Sequence, residues 1–242
     1  MPGMDFVDAI ERESEALAEA ARRPGALAGA VPACPGWSGT DLVLHIGEVQ
    51  AFWTAAARAG GVRPEEVPGA EPAGADLLEW YDQARAGLVK ALREIPPDAP
   101  VSVWWQDGPD RALEVARRQA HEAAVHRWDA QSVTGAPDPI APDLAADGVL
   151  EYCQRMLRRW DGGAWSGPAG VLRLAADDTG GQWLVRLDPQ PALVPLADSE
   201  PLATVRGTAC DLDLWLWRRS GSARVNGDRA AAEAFLAWAE LG

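Results

Sequence analysis

The spacing of apolar residues changes once along the chain. As far as residue 160 they recur at steps of three and four, and beyond residue 170 they alternate, so helices come first and strands follow. Helices are predicted at about 5–22, 39–58, 75–94, 111–133 and 143–160. The first is capped by Asp5 and carries Phe6, Ile10 and Leu17 on its apolar stripe. The second starts at Ser38, with Asp41 three positions on. A Gly/Pro-rich loop at 60–74 precedes the third, whose inward stripe is Leu78, Tyr81, Arg85, Leu88 and Leu92. Then VLRLAA and WLVRL alternate around an Asp-Asp-Thr-Gly-Gly turn and read as a hairpin. A strand at 203–206, a short helix capped by Thr208, a further strand, an Asn-Gly turn and a helix capped by Asp228 complete the pattern. Helices followed by a small mixed unit make an α+β chain. The expected domains are a helical bundle at 1–164 and a small α+β domain at 165–242, the GGAWSGPAG segment joining them.

Polar residues interrupt this pattern where burial is expected. In the fourth helix, RALEVARRQAHEAAVHRWDAQSV, Glu122 and His126 stand four apart on one face, together with Val115, Gln119, Asp129 and Val133. Burying a carboxylate and an imidazole is costly without a partner, and a divalent metal is such a partner. His45 lies on a face of the second helix with Trp37, Asp41, Glu48, Val49 and Phe52. His45, Glu122 and His126 are therefore the candidate ligands. Two imidazoles and a carboxylate suit zinc with one position open, as in catalytic sites, although iron(II) uses the same set. Asp129 is placed either to orient an imidazole or to pair with an arginine. Asp41 serves as a helix cap or orients His45. His121 points about 100° away from Glu122, so it is an outer-face residue or a support behind the ligands rather than a ligand. Cys34 either approaches the metal or is a small buried thiol. Arg85, the one cation in an apolar stripe, either snorkels outwards or meets an anion in an internal site.

Composition narrows the partners. The 242 residues are enough for a real core, and a net charge of −14 argues against nucleic acid and anionic membranes. No apolar run reaches the roughly 20 residues of a membrane span. The acidic, amphipathic N-terminus is unlike a signal peptide. The three cysteines are far apart with no CxxC, as expected of reduced thiols in a cytoplasmic protein. Twelve tryptophans are many for this length, and core packing explains them more often than a lined cavity.

Two motifs go further. VPACPGWSGTDLVLHI and HEAAVHRWDAQ resemble the mycothiol-dependent maleylpyruvate isomerase family, within the DinB-like metal-binding four-helix superfamily. The first block matches at Pro32, Pro35, Gly36, Trp37, Ser38, Asp41, Leu42 and His45. The second matches at His121, Glu122, His126, Arg127 and Asp129. VRGTACDLDLWLWRRSG looks like that family's C-terminal domain, similar in fold to sterol-carrier proteins. It departs at Arg218, where the family has Gly before the arginine found here at Arg219.

The resemblance implies an N-terminal DinB-like bundle with zinc on His45, Glu122 and His126, and thiol chemistry. Zinc would hold mycothiol as a thiolate for cis-trans isomerisation, conjugate addition or S-transfer on a small, acidic electrophile. Trp37 and Arg85 would contact the thiol, and Arg85 and Arg219 would neutralise a carboxylate, with Asp129 supporting the catalytic ligands. The partners would be small molecules, and the chain a monomer or homodimer. Two other classes remain: a metal-dependent hydrolase that activates water, and a non-enzymatic metal-binding or accessory protein, for which Cys34 as a fourth ligand would be the sign.

Overall fold

The computed structural model describes residues 4–61, 76–159, 163–196, 200–219 and 222–239. The predicted loop at 60–74, apart from its first two residues, and Trp160 lie outside the described residues. The chain divides into two compact units, residues 1–139 and 140–242.

In the first unit, α1 (Phe6–Ala21) is capped by Asp5, whose side chain accepts from the Val7 and Asp8 amides. The Ser38–Asp41 capping box fixes the start of α2 (Gly39–Arg58), each side chain accepting from the other residue's amide. Asp76 caps α3 (Leu77–Glu94). A short antiparallel hairpin, β1 (Pro100–Ser102) with β2 (Pro109–Arg111), then leads into α4 (Ala112–Thr134). The hairpin is absent from the sequence-based expectation. It is pinned by Trp105 Nε1 donating to Asp110 Oδ2 at 2.9 Å. It also replaces a side-chain cap for α4, because the Ala112 and Leu113 amides donate to the carbonyls of Ala99 and Pro97, each at 2.8 Å.

Helix α1 packs against α4 and α3, and α2 against α3 and α4. The helices thus form a ring in the order α1–α4–α2–α3, with the α2/α4 seam opposite the α1/α3 seam. Leu17, Val31, Leu42, Val43, Ile46, Tyr81 and Ala130 fill part of the interior. At Gly47 the α2 backbone lies so close to Trp80 that an added Cβ would sit 2.3 Å from the ring, so only glycine permits this approach.

Helix α4 is buried on most of its surface, and many of its buried residues are polar. Arg127 shows how such burial is compensated. It donates through Nε to the buried Glu13 of α1 at 2.9 Å, and through Nη1 to Gln131 Oε1 at 2.9 Å and to the Asp138 carbonyl. The arginine of the second motif therefore ties α4 to α1 and to the chain end of this unit. His121 is 1% exposed and meets Phe6 edge-on, because α1 covers that side of α4, so of its two expected placements the outer face is excluded.

The second unit opens with α5 (Pro142–Glu151), which continues through a π-helical turn (Tyr152–Met156) into α6 (Leu157–Arg159). Helix α5 packs on α7 (Ala209–Leu216), so it belongs to this unit and not to the bundle in which the sequence reading placed it. The strands are β3 (Val171–Ala176), β4 (Gln182–Arg186), β5 (Ala192–Val194), β6 (Ala203–Gly207) and β7 (Arg224–Gly227), and α8 (Arg229–Trp238) follows them. They form one sheet in the order β5-β4-β3-β6-β7, with β3 and β6 parallel and the other pairs antiparallel. Asn226 and Gly227 lie within β7 and pair with Thr204 and Ala203, so they are not a separate turn. Arg218 has φ +59°, a left-handed conformation that costs a non-glycine residue about 1–2 kcal/mol. It stands where the resembled family has glycine, and its guanidinium bonds the carbonyls of Leu236 and Ala239 near the end of α8. The α+β class stands as expected. Among the described residues, no helix is long and apolar enough to cross a membrane.

Candidate metal centre

The α2/α4 seam brings His45, Glu122 and His126 together. Glu122 Oε1 lies 3.6 Å from His45 Nε2 and 3.3 Å from His126 Nε2. One donor atom from each of the three lies within 4.8 Å of the other two. Two donors about 2.0–2.1 Å from a tetrahedral zinc are about 3.3–3.4 Å apart, so these separations suit such an ion with little rearrangement. The imidazole rings of His45 and His126 meet edge-on at 5.2 Å, and Trp37 meets His45 edge-on at 5.0 Å.

The surroundings orient the donors. Asp129, fully buried one turn beyond His126, has Oδ2 3.0 Å from His126 Nδ1. A neutral His126 donating there keeps its Nε2 lone pair directed at the cluster. That contact is the one through which Asp129 would orient an imidazole. Cys34 Sγ is 3.9 Å from the same carboxylate oxygen, which places Cys34 behind His126. The other oxygen of Glu122 accepts from Nη2 of the buried Arg118 at 2.9 Å. Asp41, exposed and engaged with Ser38, is a cap and not a partner of His45.

Charge is balanced towards a cation. Burial pushes the Glu122 carboxyl up, but hydrogen bonds from His126 and His45 and the charge of Arg118 outweigh it and hold the carboxyl well below its usual range. Burial likewise pushes His126 down, yet the Asp129 and Glu122 carboxylates bring it up to about 9. The carboxylates on either side of His126 thus favour a cation at the centre.

A pocket of about 340 Å³ opens from Glu122 along the seam, lined by Glu48, Phe52, Trp53, Trp104 and Arg118 among others. Helical spacing explains its course. Glu48, Val49 and Phe52 follow His45 on one face of α2, while Arg118 and Gln119 precede Glu122 on α4. Sequence reasoning identified the faces but not Trp53, Trp104 or Arg118 as pocket residues.

Arg85 is placed elsewhere. It pairs with Asp82 at 2.8 Å and lines a groove with Glu11, Val89 and Arg93 on the α1/α3 seam, the opposite side of the ring. Of the two positions considered for Arg85, this is the outward one, away from the three donors. Arg219 belongs to the second unit, where its Nη1 donates to the Trp217 carbonyl at 2.7 Å.

A helical bundle with a two-histidine, one-carboxylate centre, followed by a small α+β unit, is the class of protein defined by these features. Residues 7–131, more than half of the chain, match the mycothiol maleylpyruvate isomerase N-terminal domain, and the chain belongs to that family. A crystal structure of the mycothiol-dependent maleylpyruvate isomerase is similar to it in fold, with a TM-score of 0.64, 14% identity and 91% of each chain covered. A histidine-to-alanine mutant of that isomerase gives the same values. A ubiquinone synthesis protein, UbiJ-SCP2, aligns with 42% of this chain and 93% of its own at 18% identity; its TM-score of 0.27 carries no weight for the fold. No curated protein matches the sequence significantly.

Proposed function

We propose that the protein is a metal-dependent enzyme that uses mycothiol to attack a small electrophile, with zinc held by His45, Glu122 and His126. The observation that carries this reading is the convergence of those three donors, at separations suited to a tetrahedral ion, in a chain of the mycothiol maleylpyruvate isomerase family. Bound zinc would supply a Lewis acid that keeps a thiol ionised, and hence nucleophilic, at neutral pH.

The chain's own residues do the rest. Asp129 fixes the His126 ring, and Arg118 holds one oxygen of Glu122 so that the other faces both imidazoles. Trp37 braces His45. Phe52, Trp53 and Trp104 wall the pocket and limit water beside the reacting carbon. In an isomerisation the thiol adds to an unsaturated carbon and leaves again, whereas in addition or S-transfer it stays. The role carried over to Arg219, neutralising a carboxylate, belongs to this proposal.

The test is a reconstitution. Protein stripped with a chelator and reloaded with zinc should consume an electrophile only when mycothiol is present. Equal turnover with water alone would move the protein to the hydrolase class. Undiminished turnover in the stripped protein would overturn the metal assignment.

A further inference from the structure

The pocket beside Glu122 carries a statement about substrate class, and it rests on the thiol-transfer reading above. Phe52, Trp53 and Trp104 supply aromatic walls. Trp53 meets Phe52 at 5.1 Å and Trp105 at 5.5 Å between centroids, and Trp105 meets Trp104 at 5.5 Å. This cluster gives a stiff apolar surface rather than isolated side chains. From His45 to Phe52 is seven residues along α2, about 10 Å at 1.5 Å per residue. A six-membered ring joined to a short unsaturated chain spans that length, and about 340 Å³ is ample for it.

Charge points the same way. The pocket has the Glu48 and Glu122 carboxylates on its walls, and among its described lining residues Arg118 is the one cation. That cation is already bonded to Glu122 at 2.9 Å. With zinc on Glu122 one carboxylate of an aliphatic dicarboxylate could meet the ion, but the second would lie beside Glu48, and drawing on Arg118 would weaken its hold on Glu122. Arg85, the cation expected to receive an acidic substrate, lies on the opposite seam.

We infer that the pocket takes an uncharged, planar, ring-bearing electrophile, an aryl enone being the simplest case, and discriminates against aliphatic dicarboxylates. The ring lies against Trp53 and Trp104, and the unsaturated chain reaches towards Glu122. The thiolate sulfur bonds to the β-carbon while the C=C π pair shifts towards the carbonyl. The α-carbon takes up one proton, matching the one the thiol released, and no oxidant or reductant is needed.

The experiment is calorimetry on the zinc-loaded full-length protein with mycothiol present. Benzylacetone is the unreactive aryl probe and succinate the dicarboxylate. Benzylacetone should bind at least about ten-fold more tightly, and Trp104→Ala should weaken it by about three- to ten-fold with zinc content unchanged. Phe52→Ala provides the same readout should Trp104→Ala fold poorly. Succinate binding equally or better, or neither probe binding, would overturn the inference. Turnover of benzylideneacetone by mycothiol is read separately. Benzylacetone binding without such turnover would sink the thiol chemistry and leave the pocket assignment standing, whereas turnover with maleate preferred would do the reverse.

Discussion

His126 Nδ1 lies 3.0 Å from Oδ2 of Asp129, and that carboxylate is fully buried. The pair lies one turn apart on α4, so the helix itself sets the direction in which the other ring nitrogen points. Asp129→Ala should therefore weaken zinc binding by about 10–100-fold, the usual effect of losing a carboxylate behind a histidine ligand. Competition with a chromophoric chelator measures it. An unchanged affinity would reduce Asp129 to packing.

Two histidines on the same helix should behave differently. His126→Ala should remove most bound metal, because it deletes one of three donors. His121→Ala should leave metal content near wild type while lowering stability, because His121 packs against Phe6 under α1. Metal analysis and denaturant unfolding of both variants separate the two roles. Full metal content in His126→Ala would contradict the site.

Arg127 matches the same motif as the ligands but belongs to the architecture. Its partner Glu13 is buried and would keep only the exposed Arg12 on its other oxygen, so Arg127→Ala should destabilise the first unit by about 1–3 kcal/mol. Adding Glu13→Gln to that variant should restore part of the loss. A cost below about 1 kcal/mol in urea unfolding would show that the pair is solvated.

Alkaline pH should weaken the fold before it affects surface pairs. Burial pushes the Cys153 thiol from 9.0 up to about 12 and raises the Tyr152 and Tyr81 hydroxyls as well. Each group keeps its proton longer in the folded chain than in the unfolded one. Its contribution is therefore complete below the unfolded pKa and is lost as pH rises through the folded one. The urea midpoint should fall between pH 9 and 12, and Cys153→Ala should flatten part of that fall. A midpoint constant over this range would contradict the burial of these groups.

Much of this was legible because helices have a fixed period. Ser38 and Asp41 gave the start of α2, and four-residue spacing put Glu122 and His126 on one face with Asp129 one turn on. His45 joined them as the remaining histidine, on a face it shares with Glu48 and Phe52. Periodicity does not say which helices touch. For that reason Arg85 was left open between an outward position and an internal anion site, and the cover that α1 gives to His121 was not visible. The β1–β2 hairpin has strands of three residues with a proline in each, too short for an alternating pattern, so the placement of Trp104 beside Phe52 and Trp53 was invisible. Arg118 was not singled out, because in a helix this rich in alanine nothing marks which arginines are buried. The boundary was drawn after α5 because that helix reads as a strut leading from the four bundle helices to the rest of the chain, and its packing on α7 is not visible in its sequence.

The most direct test of the central claim is the absorption spectrum of cobalt-substituted protein titrated with mycothiol. One cobalt per chain should bind and, on adding thiol, give a sulfur-to-metal charge-transfer band that saturates at one equivalent and is absent in His126→Ala. Stoichiometric cobalt with a spectrum that does not respond to the thiol would contradict the claim.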